Sequence, residues 1–410
     1  MDDTKLPDYT LRAHTCAVTT VLVVDDCHTP TLVSTDEKGR IIVWDLITRR
    51  SVRSHQLESG AAITATQYVE PNLLACLSKE DCSLRLYNLA TLEEIFEMKV
   101  NTMSFANFVI ARSENGLLTL FCCSTTNPEA IDCYTIDVTT KRLKRVAKEL
   151  HFGESIANVL PDGLPKIDKL GLVMKFISHD SGTMFIGFES GIIIGFRLVF
   201  DSISDGDCLV VVTHVSAPHC PRPILSLEID VNNRAKLLGS STDTIIATDT
   251  IITTDTCAVS DMKSRAGITT SNDLAFITSE IHDTHTRKIY DIKSLSKYLL
   301  WSTWTGKSYS SKVDTSFIEK YWKSKSSLIP IESSQGSFDK NKADPKVSRY
   351  VKTKCITGFD SHCYSCRFGV RMDSVALSDR SKERRLLQFA EHSWYIIGYE
   401  DGSISLYRLK

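Results

Sequence analysis

The chain has 410 residues, a formal net charge of −2 at pH 7, and a composition that is 42% hydrophobic and 24% charged. That balance supplies a large core and gives no global pull toward nucleic acid or an anionic membrane surface. The N-terminus, Met1 to Pro7, lacks the apolar stretch of a signal peptide, and the longest apolar run, near Ile192 to Phe200, is interrupted by Arg197 and too short to span a bilayer.

In chain order, the first element is a short strand, Tyr9-Thr-Leu-Arg12. A strand over Ala17–Val24 and another over Thr31–Thr35 lead to Gly39-Arg-Ile-Ile-Val-Trp44-Asp45, a glycine turn followed by a β-branched strand. Leu73–Ser78 and Ser83–Leu89 flank the next turn, and Asn107–Ala111 and Leu117–Cys123 the one after. Residues 139–166 are polar and basic and read as an inserted connector. A further unit over about Ile167–Phe200 follows, then one over Pro223–Val259 with an inner strand at Ile224–Ile229. Ile268–Glu280 and the hairpin Tyr298–Tyr309 compete to supply the strands of a sixth unit. Residues 314–354 read as a second insertion: across 306–350 there are nine Lys or Arg against five Asp or Glu, and apolar residues thin out. A last unit is expected to resume near Tyr364, break at the charged loop Asp379–Arg385, and end with the hairpin Trp394–Leu409.

One spacing unites these units. A turn residue precedes an aromatic by five positions at Gly39/Trp44, Cys82/Tyr87, Gly116/Phe121, Gly191/Phe196 and Gly402/Tyr407, with a weaker copy at Asp243/Thr248. Ile186–Leu198 and Ile397–Leu409 are nearly the same hairpin. The turn needs a residue tolerant of positive φ, and the aromatic packs against the neighbouring sheet. Trp44-Asp45 is a true WD dipeptide. The expected fold is therefore all-β: a seven-bladed WD40 β-propeller over residues 1–410, with inserted loops. Seven blades of roughly 40–45 residues use about 300 and leave room for the insertions. Because the final hairpin lacks a fourth strand, Tyr9–Arg12 is expected to close the last blade.

Chemistry is sparse. No phosphate-binding loop, dinucleotide fingerprint or serine-hydrolase elbow occurs. His362-Cys363-Tyr-Ser-Cys366 contains a Cys-x-x-Cys, but a closed zinc site needs four ligands, and Cys355 or His219/Cys220 would have to be recruited. The thirteen scattered cysteines, with no Asn-x-Ser/Thr sequon, read as reduced thiols of an intracellular protein, and Cys122-Cys123 as strand neighbours facing opposite ways. Asp36, Glu80, Asp81, Glu189, Glu400 and Asp401 fall at separate hairpin turns and read as turn formers. Three basic runs, Arg49-Arg50-x-x-Arg53, Lys141–Arg145 and Lys382–Arg385, read as solvated connectors, with docking to an acidic partner surface as the functional alternative. No catalytic, cofactor-binding or metal residues are assigned.

The chain resembles the fungal ASTRA-associated WD-repeat family, itself related to guanine-nucleotide-binding-protein β-subunit-like proteins. The segments that carry this are Tyr9–His14, Gly39–Arg50, Leu84–Leu89, Ile186–Leu198, Pro223–Ile229 and Ile397–Leu409. The resemblance implies a non-catalytic scaffold subunit in the nucleus, without cofactor. Its implied partners are protein subunits of an ASTRA-like or kinase-maturation chaperone complex, linked to chromatin regulation and to maturation of phosphatidylinositol-kinase-like kinases. Neither a small-molecule substrate, direct nucleic-acid contact nor a membrane is implied. In such folds a His–Ser–Asp–Trp hydrogen-bonded tetrad often stiffens a blade; with Lys38 at the turn, no blade is expected to have the full set. A substrate-recognition subunit of a ubiquitin ligase is the alternative function.

Overall fold

The structure, a computed structural model, describes residues 6–24, 29–100, 104–113, 116–153, 169–179, 182–200, 208–217, 219–231, 236–241, 244–249, 268–276, 279–283, 289–312, 329–331, 351–360 and 380–409. Strand β1 (Tyr9–Arg12) precedes a first sheet of β2 (Val18–Val24), β3 (Thr31–Asp36), β4 (Arg40–Asp45) and β5 (Arg50–Gln56). The second sheet is β6 (Ile63–Val69), β7 (Leu73–Ser78), β8 (Ser83–Asn88) and β9 (Glu94–Lys99); the third is β10 (Val109–Arg112), β11 (Leu118–Cys123), β12 (Ile131–Asp137) and β13 (Arg142–Leu150). The fourth contains β14 (Val173–Ser178), β15 (Met184–Phe188), β16 (Ile193–Phe200) and β17 (Cys208–Ser216). Next come β18 (Ser226–Ile229), β19 (Lys236–Ser240) and β20 (Thr244–Asp249); β21 (Ile268–Phe276) then adds in parallel to β17, and β22 (Ser279–Asp283) completes the fifth sheet beside β20. The sixth sheet is β23 (Ile289–Ser294), β24 (Tyr298–Thr303), β25 (Ser308–Lys312) and β26 (Ile329–Ile331). The last holds β27 (Thr353–Phe359), then, after helix α1 (Arg380–Ala390), β28 (Trp394–Tyr399) and β29 (Ser403–Arg408). The described residues thus form seven sheets, an all-β, propeller-like fold with little helix.

The repeated spacing has the physical basis expected of it. Gly39, Cys82, Gly116, Gly191 and Gly402 all take positive φ, between 59° and 85°. At Gly402 a Cβ would also lie 2.7 Å from the His14 carbonyl oxygen, so a side chain is excluded there on two counts. Five positions on, Trp44, Tyr87, Phe121, Phe196 and Tyr407 are all buried. A second turn recurs that the spacing did not announce. Asp45, Asn88 and Asp137 each accept hydrogen bonds on the side chain from the amides two and three residues on. Arg49, Leu92 and Lys141, four residues after those acceptors, sit in the left-handed region at φ of 54–60°. The aspartate after Trp44 is therefore an Asx-turn former.

The chain divides into two compact units, Met1–Tyr68 with Tyr290–Lys410, and Val69–Ile289. In the first, Val18, Leu32, Ile42 and Trp44 of the first sheet pack with Leu11, Ile396, Ile404 and Leu406 of the last sheet and with Leu386 and Phe389 of α1. Leu300 of β24 packs with Ile356, Tyr395 and Tyr407 of the last sheet. In the second unit Phe121, Ile131 and Cys133 meet Phe176, Ile186 and Phe196, with the Phe121 and Phe196 rings edge to face at 5.8 Å. β1 pairs antiparallel with β29, Tyr9 opposite Leu406 and Arg12 opposite Ser403, and so supplies the fourth strand of the last sheet, as the termini suggested.

Several boundaries differ from expectation. Within the 139–166 stretch taken as an insertion, Arg142–Leu150 is β13, the outer strand of the third sheet; an outer strand faces solvent and tolerates the charges that made it look like a connector. Residues 154–168 lie outside the described residues. Within 314–354, Ile329–Ile331 pairs with β25 and Thr353 opens β27; 313–328 and 332–350 lie outside the described residues. The last sheet starts at Thr353 and not near Tyr364. The charged run 379–385 enters α1, whose Leu386 and Phe389 supply the buried side. Of the two candidates for the sixth unit, the hairpin Tyr298–Tyr309 belongs to the sixth sheet, while Ile268–Glu280 divides between the fourth and fifth.

Candidate interaction site

The first sheet holds a complete His–Ser–Asp–Trp tetrad, correcting the expectation that no blade has one. The Trp44 Nε1–H donates to Ser34 Oγ at 2.8 Å, His14 Nε2 lies 2.7 Å from the same oxygen, and His14 Nδ1 lies 2.8 Å from Asp36 Oδ2. Lys38 does occupy the turn, but the acid is Asp36, at the end of β3. Its other oxygen accepts the amides of Lys38 and Arg40 at 2.9 and 3.0 Å. Burial pushes the Asp36 carboxyl up, while the His14 hydrogen bond and those two amides outweigh it and hold the group below the usual carboxylate range. All four side chains are buried. They form a brace with no access for a substrate.

The other turn acids behave in the same local way. Asp81 accepts from Ser83 Oγ, Asp401 from the Ser403 amide and hydroxyl, and Glu189 from the Leu172 amide. They belong to separate sheets and do not converge. Cys122 and Cys123 are both buried; Cys123 Sγ lies 2.7 Å from Ser104 Oγ, and burial raises both thiols, that of Cys123 to about 11. These are packing groups, poorly suited to redox work. Cys355 is buried against the Val18 carbonyl, and among the described residues no cluster of three or more His, Cys, Asp or Glu could hold a metal. The His362–Cys366 motif lies outside the described residues.

Two of the three basic runs do converge. A cleft of about 250 Å³ in the first unit is lined by Tyr9 of β1, Leu46, Ile47 and Arg49 of the turn after β4, Arg385, Gln388 and Phe389 of α1, Glu391, His392, Trp394 of β28 and Arg408 of β29. Each part is held by its own element. The Asx turn at Asp45 and the left-handed backbone at Arg49, whose amide donates to the Asp45 carbonyl at 2.7 Å, present the Arg49 side chain. Its guanidinium lies over Tyr9 with Cζ 3.2 Å from the ring centroid, a cation–π contact that fixes the plane of the fork. Phe389 stacks on Trp394 at 4.8 Å and 8°, and the Trp394 indole N–H donates to the Phe389 carbonyl at 2.8 Å, so the end of α1 is pinned to β28. Arg408 lies over the Trp394 ring at 5.6 Å and 3.5 Å from Asp8 Oδ1, while its amide donates to the other Asp8 oxygen at 2.8 Å.

Three guanidinium groups and an imidazole thus share one cleft with a single carboxylate, that of Glu391. Neither Arg49 nor Arg385 makes an ion pair with a described residue, and both are exposed. The sequence marked Arg49 and Arg385 as charge runs but could not bring them together. It gave no sign of Arg408, His392 or the Phe389–Trp394 stack, because those depend on α1 folding back onto the last sheet. The third run goes elsewhere: Arg145 pairs with the buried Asp132 of β12 and is structural.

The family profile of ASTRA-associated protein 1 matches residues 7–407. ASTRA-associated protein 1 of Zygosaccharomyces rouxii is 36% identical over 417 residues, covering 100% of both chains. The protein of that name from Lachancea thermotolerans is 31% identical over 97% of this chain and 96% of its own, and that of Kluyveromyces lactis 29% identical over the same shares. None of these names carries a catalytic activity.

Proposed function

The chain belongs to the ASTRA-associated protein 1 family, and from that premise we propose that it is a non-catalytic scaffold subunit associated with an ASTRA assembly. The single observation that carries this reading is similarity over the whole length, from the closing strand β1 to the last hairpin, to proteins named for that association. On this reading the seven sheets are the seven blades of a WD40-type ring, and the exposed turns and clefts, including that around Arg49, are its binding surfaces. The tetrad and the Arg145–Asp132 pair act as braces that support rigidity. We place the protein in the nucleus and link it to chromatin regulation and to the maturation of phosphatidylinositol-kinase-like kinases, as the family resemblance implies.

The test is recovery of tagged protein from cells at native level, followed by mass spectrometry of what comes with it. ASTRA subunits and large phosphatidylinositol-kinase-like kinases are expected in stoichiometric amounts. Recovery of cullin-type ubiquitin-ligase subunits in their place would overturn the scaffold assignment in favour of substrate recognition.

A further inference from the structure

We propose that the cleft formed by Tyr9, Arg49, Arg385, Phe389, Trp394 and Arg408 binds a phosphorylated serine or threonine side chain in an extended segment of a partner protein. This goes beyond the scaffold reading by naming the chemistry of one partner, and it rests on that reading for the existence of a partner. The charge pattern is the first ground. Arg49, Arg385 and Arg408 line the cleft with one carboxylate, Glu391, while Asp8 is engaged with Arg408 and its amide. Arg49 and Arg385 are left without a protein carboxylate among the described residues.

Preorganisation is the second ground. A guanidinium recognises phosphoryl oxygens through two parallel N–H donors, and the cost of ordering a long side chain is reduced if its plane is already set. Tyr9 sets it for Arg49, from 3.2 Å, and Trp394 with Asp8 sets it for Arg408. A carboxylate has two oxygens and one charge, so one fork satisfies it. A phosphoryl group brings three acceptor oxygens and nearly two charges, and can use the forks of separate arginines at once.

Size is the third ground: about 250 Å³ suits one side chain with its terminal group and is too small for a folded element. His392 lines the same cleft and adds an imidazole N–H donor.

The experiment uses the full chain and three fluorescent libraries of thirteen-residue peptides, degenerate except for a central phosphoserine, serine or glutamate. The phosphoserine library is expected to be retained at least tenfold better than either of the others. Arg385→Ala, on the exposed side of α1, removes a guanidinium without touching the core and is expected to lose most of that discrimination. Arg49→Lys keeps the charge but not the flat fork and is expected to lose it as well, with the thermal midpoint of each variant recorded as a folding control. Equal retention of the glutamate and phosphoserine libraries overturns the proposal, as does discrimination that survives both substitutions. Co-purification of ASTRA subunits is a separate readout, so failure here and failure of the scaffold reading are distinguishable.

Discussion

Ser34 shows how much one hydroxyl can hold in this fold. It accepts the Trp44 indole N–H and bonds to His14, so it joins β4 to the segment before β2, and through His14 reaches the Asp36 turn. Removing it strands two buried ring nitrogens. Ser34→Ala is expected to destabilise the protein by about 1–3 kcal/mol, the cost of a buried unsatisfied polar group. The check is the urea midpoint of the first unfolding transition; a change no larger than that of an exposed serine variant would show the tetrad to be decorative. Sequence reasoning had Trp44 and His14 but expected the acid at Lys38, inside the turn. Asp36 is still on the strand, and its carboxylate reaches forward to the turn amides and sideways to His14 at once. That double use is a matter of side-chain direction, which spacing along a chain does not encode.

At the scale of elements, legibility followed periodicity. The hairpins around Gly39, Cys82, Gly116, Gly191 and Gly402 were readable because a left-handed turn residue and a buried aromatic recur at one distance. Outer strands were not. β13 and β26 carry charge or proline and alternate weakly, because an edge needs little burial, and they looked like insertions. α1 was hidden in a charged run whose apolar partners, Leu386 and Phe389, follow it at helical spacing. The cleft was illegible for the same reason, since Arg385, Gln388 and Phe389 of α1 form part of its wall. β1 was legible from the shortage of one strand in the last hairpin. Its role predicts a specific failure: removing residues 1–12 deletes buried Leu11 and exposes the backbone edge of β29 from Ser403 to Leu406. The truncated chain is expected to self-associate in light scattering and to melt lower than the full chain, whereas Leu11→Ala alone should cost about 2–5 kcal/mol with little association. A monodisperse truncation with an unchanged melting point would mean that β1 is an ornament on a sheet complete without it.

For the molecule as a whole, a net charge of −2 means that acid acts on stability through particular groups and less through general repulsion at neutral pH. Each compact unit contains a buried group of this kind among the described residues. In the first, the Asp36 carboxyl is held below the usual carboxylate range, so its contribution is intact above the pKa it has in the unfolded chain and is lost as pH falls through its folded value. In the second, His219 is buried; burial, offset in part by a backbone bond at Gly239 and reinforced by Arg222, lowers its imidazole to about 4 from the ordinary 6.5. The unfolded chain takes up that proton as pH falls below about 6.5 and the fold refuses it until about 4, so stability drops through this window, by roughly 3 kcal/mol if the whole shift is realised. The second unit should therefore weaken at mild acidity, while the Asp36 contribution persists to lower pH. Thermal melts from pH 7.5 to 4.5 are expected to show a falling midpoint in the native chain and a visibly shallower fall in His219→Gln, whatever the midpoint of that variant at pH 7.5. Parallel curves would place the acid sensitivity on other groups and remove His219 from the account.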